Sequence, residues 1–358
     1  MPATANTALI VIANLSEFGS SDVFIDDVAL LSVGSTETPT PETTCFQDMK
    51  AKLQHCTGRY VSLVLSGYCN SIQGQISSVG EGSIVFISEE GTRVISICNI
   101  ISVTSIILAY VTAGLSEVFV INTSSNTVIA GPIIAGRFPS GIAITPNGNT
   151  AYVANNIDSN VSIINTITNT NVGTIPTDFG PYEVAITPDG SRLYVTAFNN
   201  VIVINTITNT VIDTITLGDK PSGIAITPDG NRAYVTEIVN NNVFVISTIT
   251  NTVIAPPISV GSNPQAIAIT PDGNRAYVVN LDDDNISIID TNTNTVINTF
   301  PAGDGPIDIA ITPDGTRAYV TDVNNISVIN TITNTVIDTI TLPMNFQGYF
   351  IAFTPSCI

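Results

Sequence analysis

Residues 223–260 read GIAITPDGNRAYVTEIVNNNVFVISTITNTVIAPPISV. Four apolar, β-branched runs alternate with turn residues. GIAIT is a short strand, and PDGNR is a turn, because proline presets φ and Asp-Gly supplies a tight reversal. AYVTE is the second strand and NNN the next turn. VFVIS is the third strand, TITN a further turn, and TVIAPPISV the fourth strand. Such runs predict one small antiparallel sheet.

The pattern recurs along the chain. The Tyr of the AYV segment falls at Tyr110, Tyr152, Tyr194, Tyr234, Tyr277 and Tyr319, in steps of 42, 42, 40, 43 and 42. The Pro of the TP pair falls at Pro146, Pro188, Pro228, Pro271, Pro313 and Pro355. Residues 205–217 and 330–342 both read NTITNTVIDTITL. Four short strands at this period predict the blades of a β-propeller.

The repeats are cut out of phase. The first copy, from near Ile106, has AYV, VFVIN and TVIAGPI but no IAIT strand before them, whereas the chain ends on GYFIAFTPSCI, an inner strand with no blade of its own. Three strands at the front and one at the back make one blade. The expected fold is therefore all-β, a six-bladed propeller over 105–358 closed by pairing the C-terminal strand into the first blade. Phe350, Ile351 and Phe353 would bury against that blade, at roughly 1.5–3 kcal/mol each if complete. Closure removes the exposed faces that an open stack would leave.

The stretch Thr227–Ile269, TPDGNRAYVTEIVNNNVFVISTITNTVIAPPISVGSNPQAIAI, resembles the YVTN family of β-propeller repeats, and the resemblance extends over residues 106–355. It implies a propeller of the kind found on cell-surface or extracellular proteins of archaea and bacteria, and no single reaction.

The front of the chain is unlike the rest. Residues 34–44, GSTETPTPETT, read as a Thr/Pro linker. Before it, TALIVIANL and DVFIDDVALLSV within 1–33 read as a strand pair, too little for a stable domain. The second resembles the last strand of a jelly-roll domain in surface proteins of Gram-positive spore-formers. Either the chain was shortened, or the pair completes a sheet supplied by something else, as a strand donor. After the linker, Phe46, Met49, Leu53 and Cys56 form one apolar helical stripe. About five short strands follow, and residues 45–104 resemble an Sm-like small barrel. That resemblance implies a fold and self-association. The basic signature of RNA-binding loops is not evident, since Lys50, Lys52, Arg59 and Arg93 are balanced by Asp48, Glu81, Glu89 and Glu90.

The net charge is −19 with ten basic residues, which disfavours nucleic acid and anionic membranes as partners. No apolar run reaches membrane-spanning length, so no membrane insertion is expected. The start, MPATANTALIVIANL, lacks the marks of a signal peptide. Cys45, Cys56, Cys69, Cys98 and Cys357 contain no CxxC pair, and His55 is the single histidine, so zinc is not expected. The cysteines read as buried thiols or, being odd in number, as candidates for disulfides or cross-links between chains.

Few constellations carry chemistry. Arg192, Arg232, Arg275 and Arg317 each follow the turn aspartates Asp189, Asp229, Asp272 and Asp314 by three. They suit either a ring of ligand-binding cations or, as favoured here, repeated bonds to a carboxylate or backbone. Asp282, Asp283 and Asp284 offer oxygens to Ca²⁺. Adjacent side chains seldom face one point, so a solvated loop is the favoured reading. Asp26 and Asp27 point to opposite faces of a strand. His55 has no GxSxG partner, and no Walker or GxGxxG sequence precedes a helix. The Tyr110-to-Tyr319 series reads as packing between blades.

These features predict a non-enzymatic structural or adhesive surface protein, extracellular or on the cell or spore surface, that needs no cofactor. It would self-associate as a homo-oligomer or filament and display the propeller, with other surface proteins or glycans as further partners. The alternatives are a propeller hydrolase, lactonase-like or metal-dependent, and a soluble carbohydrate- or protein-binding module. The loops read as short and nearly alike, which argues against the hydrolase.

Overall fold

The computed structural model describes residues 49–341, apart from 55, 58–59, 66–71, 80–82, 89–90, 97–99, 106–107, 114, 123–126, 178–179, 313 and 323–324, together with 351–353. The readings of 1–33, the 34–44 linker, His55, Phe350, Cys45, Cys69, Cys98 and Cys357 lie outside the described residues. The chain divides into two compact units between Ile107 and Leu108.

The first unit has a short helix over 49–54 and five antiparallel strands: Tyr60–Leu65, Ile72–Val79, Ser83–Ser88, Gly91–Ser96 and Ile100–Ser105. They form one sheet in the order fourth, third, second, first, fifth. Alternate residues of the first strand, Val61, Leu63 and Leu65, face the core with Ile76, Ile84, Phe86 and Ile95, as the two-residue period requires. Leu53 and Cys56 of the expected helical stripe join that core, and Met49 packs against it. Cys56 is disulfide-bonded, so for this residue the buried-thiol reading is corrected. Among the described residues no helix is long and apolar enough to cross a membrane.

The second unit is all-β and consists of repeated four-stranded antiparallel sheets consistent with a β-propeller. In sheet I, Ile351–Phe353 pairs with Leu108–Ala113, followed by Glu117–Asn122 and Thr127–Ile134. The register sets Ile351 opposite Val111, Ala352 opposite Tyr110 and Phe353 opposite Ala109. Sheet II contains Pro139–Ile144, Thr150–Asn155, Asn160–Asn165 and Thr170–Pro176. Sheet III contains Pro181–Ile186, Arg192–Ala197, Asn200–Asn205 and Thr210–Thr216. Sheet IV contains Pro221–Ile226, Arg232–Glu237, Asn242–Ser247 and a fourth strand in two pieces, Thr252–Val253 and Ile258–Ser259. Sheet V contains Pro264–Ile269, Arg275–Asn280, Asn285–Asp290 and Thr295–Pro301. Sheet VI contains Asp308–Ile311, Arg317–Thr321, Asn325–Asn330 and Thr335–Thr341. The split in sheet IV corrects the continuous strand expected from TVIAPPISV. Pro256 and Pro257 lack the N–H groups that a ladder needs.

The apolar cores lie between consecutive sheets. Tyr152, Val161 and Ile175 of sheet II pack with Val184, Leu193 and Ile202 of sheet III, and the same interleaving recurs from III to VI. Second and third strands are covered on both faces, which explains their continuous apolar runs.

The repeated polar residues have fixed tasks. In sheet IV the Thr227 hydroxyl donates to Asp229 Oδ1, which also accepts from the N–H of Asn231 at 3.0 Å. The N–H of Arg232 donates to Thr227 Oγ1 at 3.1 Å and closes the hairpin. Gly230 sits at φ 74°, and a Cβ there would meet Pro188 of sheet III at 3.3 Å. In the third-to-fourth turn of sheet III, Asn205 Oδ1 accepts from the N–H groups of Ile207 and Thr208. Thr206 donates to the carbonyl of Gly190. Asn209 takes φ 53°, a left-handed conformation that Asn tolerates better than most residues. Asn169, Asn251, Asn294 and Asn334 do the same in sheets II, IV, V and VI.

Candidate functional site

The first strands of sheets II to VI lie side by side in order. Two places after the proline that precedes or opens each of them stand Gly141, Glu183, Gly223, Ala266 and Asp308. In sheets III, IV and V the register slips at this point, between Pro181 and Val184, Pro221 and Ile224, and Pro264 and Ala266. Such bulges re-aim side chains. Threonines on the second strands satisfy the displaced backbone. Thr196 Oγ1 accepts from the N–H of Glu183 at 3.0 Å, Thr236 from Gly223 at 2.7 Å and Thr321 from Asp308 at 3.1 Å.

Glu183 and Asp308 line one cavity of about 110 Å³, walled by Ile142, Ile224, Ile267 and Ile309. Glycine is required beside Glu183, because a Cβ on Gly141 would stand 2.6 Å from the Glu183 Cα. Burial pushes the Glu183 carboxyl well above the usual range, and the charge of Asp308 adds to the effect. A hydrogen bond from the N–H of Val184 to Oε1, at 3.0 Å, opposes it. A carboxyl that holds its proton beside a second carboxyl can exchange protons with a bound group.

A second cavity, of about 250 Å³, is lined by Asn156, Gly180, Tyr182, Phe198, Lys220, Pro221, Ser222, Ile238 and Gln265. Burial, and then the charges of Glu183 and Asp308, push the Tyr182 phenol up to about 12, with Ser222 acting in the opposite sense. The loop between second and third strands explains the opening. It has four residues in sheets II, IV and V, but sheet III makes the reversal with Phe198 and Asn199 alone. Phe198 is 65% exposed there, with φ 36°. The expectation that the loops are nearly alike is therefore corrected.

The residues singled out by sequence separate clearly. Arg192, Arg232 and Arg275 reach into the next sheet and donate to the carbonyls of Thr248, Thr291 and Thr331, at 2.6, 2.5 and 2.8 Å. Arg232 and Arg275 also lie over the rings of Tyr234 and Tyr277. Their guanidinium groups serve the joints between sheets. Asp282 accepts from Asn263 Nδ2, Asp283 from the N–H of Ser262 and Asp284 from the N–H of Gly305. The three carboxylates thus turn to three different partners. Among the described residues no three His, Cys, Asp or Glu side chains group so as to hold a metal ion. Sequence reading missed Glu183 and Asp308; the available signal was their substitution for small residues at one position of a repeated strand.

The fold has solved relatives. The chain is similar to hydrazine synthase of Kuenenia stuttgartiensis, at 25% identity and a TM-score of 0.51, over 59% of this chain and 68% of that one. It is also similar to a functionally unknown protein from Desulfotomaculum acetoxidans DSM 771, at 22% identity and a TM-score of 0.57, over 68% and 82% of the two chains. These likenesses agree with the repeated four-stranded sheets of a β-propeller-like fold. No family model matches the chain. No curated protein matches it either.

Proposed function

We propose that the chain is a YVTN-type, six-bladed propeller of a self-associating, non-enzymatic surface protein. Two features support a closed ring. Ile351–Phe353 is hydrogen-bonded into sheet I, and it lies between the first strands of sheets VI and II. The order of the five strands and helix in the first unit supports the Sm-like reading of that unit.

The observation that carries self-association is the outer rim. Sheets II, III, V and VI each end on a long fourth strand whose outer edge pairs with no other described strand. Those of III, V and VI expose Val211 and Ile212, Val296 and Ile297, and Val336 and Ile337. Ile207, Ile249 and Ile332 stand exposed at the adjoining turns. These strands carry no lysine, the residue that commonly guards an edge. A rim of this kind accepts an added strand, and residues 1–33 are the proposed donor from a neighbouring copy. Head-to-tail donation does not close, so it propagates into a filament. The disulfide at Cys56 supports an extracellular setting. Light scattering of the full chain and of a chain lacking residues 1–33 tests this reading. Large assemblies for the first and monomers for the second are expected; equal monomers refute it.

A second reading, a propeller hydrolase, has one observation in its favour, the buried Glu183 and Asp308 on the inner strands. Turnover of lactone substrates that is lost in both Glu183→Gln and Asp308→Asn would establish it.

A further inference from the structure

We propose that the cavity beneath Phe198 binds a neutral saccharide unit. This goes beyond the assembly reading and stands or falls separately from it. The first observation concerns two identical segments, PSGIAITP at 139–146 and at 221–228. In sheet II the Ser140 hydroxyl donates to the carbonyl of Tyr182 at 2.6 Å. The equivalent carbonyl facing sheet IV belongs to Gln265, and Thr236 already donates to it at 3.3 Å. Ser222 is 1% exposed, and its hydroxyl has no well-formed hydrogen bond. A buried hydroxyl with only the Tyr182 phenol near it, and no bond of good geometry, is a recognition group on the wall of the cavity that Ser222 lines.

The second observation is the chemistry of the walls. Phe198 and Tyr182 supply aromatic surface, while Asn156 and Gln265 supply planar amides. A pyranose has an apolar C–H face and a rim of hydroxyls that both give and accept hydrogen bonds. Amides and hydroxyls match such a rim, and aromatic surface matches such a face. At about 250 Å³ the cavity suits one ring rather than a peptide segment. The third observation is charge. Glu183, which directly follows Tyr182, holds its proton and is neutral, whereas the charge of Asp308 acts on the Tyr182 hydroxyl. Lys220 also lines the cavity but is exposed, so solvent and salt screen its charge. An acidic sugar is therefore repelled, and a neutral one is not.

The test is titration calorimetry of the full chain with glucose, galactose, N-acetylglucosamine, glucuronate and glucosamine. At least one neutral sugar is expected to bind in the millimolar range, and glucuronate at least tenfold more weakly. Phe198→Ala and Gln265→Ala should each weaken binding at least tenfold. Ser222→Ala should weaken binding without lowering the melting temperature, because its hydroxyl makes no well-formed bond within the fold. Saturation by none of the neutral sugars would overturn the proposal, as would unchanged affinity in these variants. Tighter binding of glucosamine than of glucose would assign the cavity to an ammonium ligand and overturn it as well. A lowered melting temperature for Ser222→Ala would assign that hydroxyl to the fold, with the same consequence.

Discussion

The hydroxyl of Tyr234, on the second strand of sheet IV, lies 2.7 Å from Oδ1 of Asn294 in a turn of sheet V. The same bond joins Tyr110 to Asn169, Tyr152 to Asn209, Tyr194 to Asn251 and Tyr277 to Asn334, at 2.8 to 3.0 Å. Each tyrosine thus fastens its own sheet to the following one. The asparagine can receive the bond because its left-handed backbone closes the turn there.

Replacing Tyr234 by Phe keeps the buried ring and removes the hydroxyl, leaving Asn294 Oδ1 without this donor. A loss of about 1–2 kcal/mol is expected, read as a fall of a few degrees in melting temperature. If the ring is closed as proposed, Tyr319→Phe should show a loss of the same size. A silent Tyr319→Phe would argue for an open stack.

The turn asparagines have two duties, which substitution separates. Asn209→Gly keeps the left-handed backbone and loses the acceptor for Tyr152, for about 1 kcal/mol. Asn209→Ala loses both, with about 1–2 kcal/mol more from the left-handed geometry. Chemical denaturation of the two variants should rank alanine below glycine.

Two glycines offer an internal control. A Cβ on Gly223 would stand 2.6 Å from the Ala266 Cα and 2.7 Å from the Gln265 carbonyl, both backbone atoms. One on Gly173 would meet Ile163 Cδ1 at 3.9 Å and nothing closer. Gly223→Ala should destabilise by about 1–3 kcal/mol or more, while Gly173→Ala should be neutral or gain about 0.4–1 kcal/mol. Equal melting curves for the pair would contradict the close approach of the inner strands.

Acid and base act on different carboxyls. Hydrogen bonds from Thr187, Thr227, Thr270 and Thr312, then from backbone N–H groups, hold Asp189, Asp229, Asp272 and Asp314 below the usual range. Their contribution is present above the unfolded value of about 3.9 and is lost as pH falls through the folded values. Glu183 is shifted upward, so its contribution is full below about 4.3 and is lost as pH rises through its folded value. Glu183→Gln should therefore gain on the native chain in melting temperature from about pH 5 to 8. Parallel curves would show that Glu183 is not held protonated.

The sheets were legible because their signals are local. Proline and Asp-Gly fix one turn, Asn-Thr-x-Thr-Asn fixes another, and the runs between them have strand length. The tasks of the tyrosines, which recur in all six units, and of the arginines, which recur in four, followed from repetition, since residues that recur from unit to unit serve the joints. Glu183 and Asp308 were not legible as a pair. They are 125 positions apart, and each looks like a lone departure in a strand until the first strands are set side by side. The cavity beside Phe198 depends on a loop two residues shorter than its counterparts, which shows in the sequence as a step of 40 but gives no hint of what it uncovers. The partner of a cysteine likewise cannot be deduced from spacing, and here Cys56 alone falls among the described residues.

The forward reach of the tyrosines bears on how such a chain can lengthen or shorten. Each of sheets I to V brings its own hook and borrows its eye from the sheet that comes next. Cassettes built to this standard coupling are interchangeable, and the identical stretches at 205–217 and 330–342 have the look of spare parts cut from one template. A whole cassette can be gained or lost without inventing a new joint, whereas damage to one hook loosens two neighbours at once.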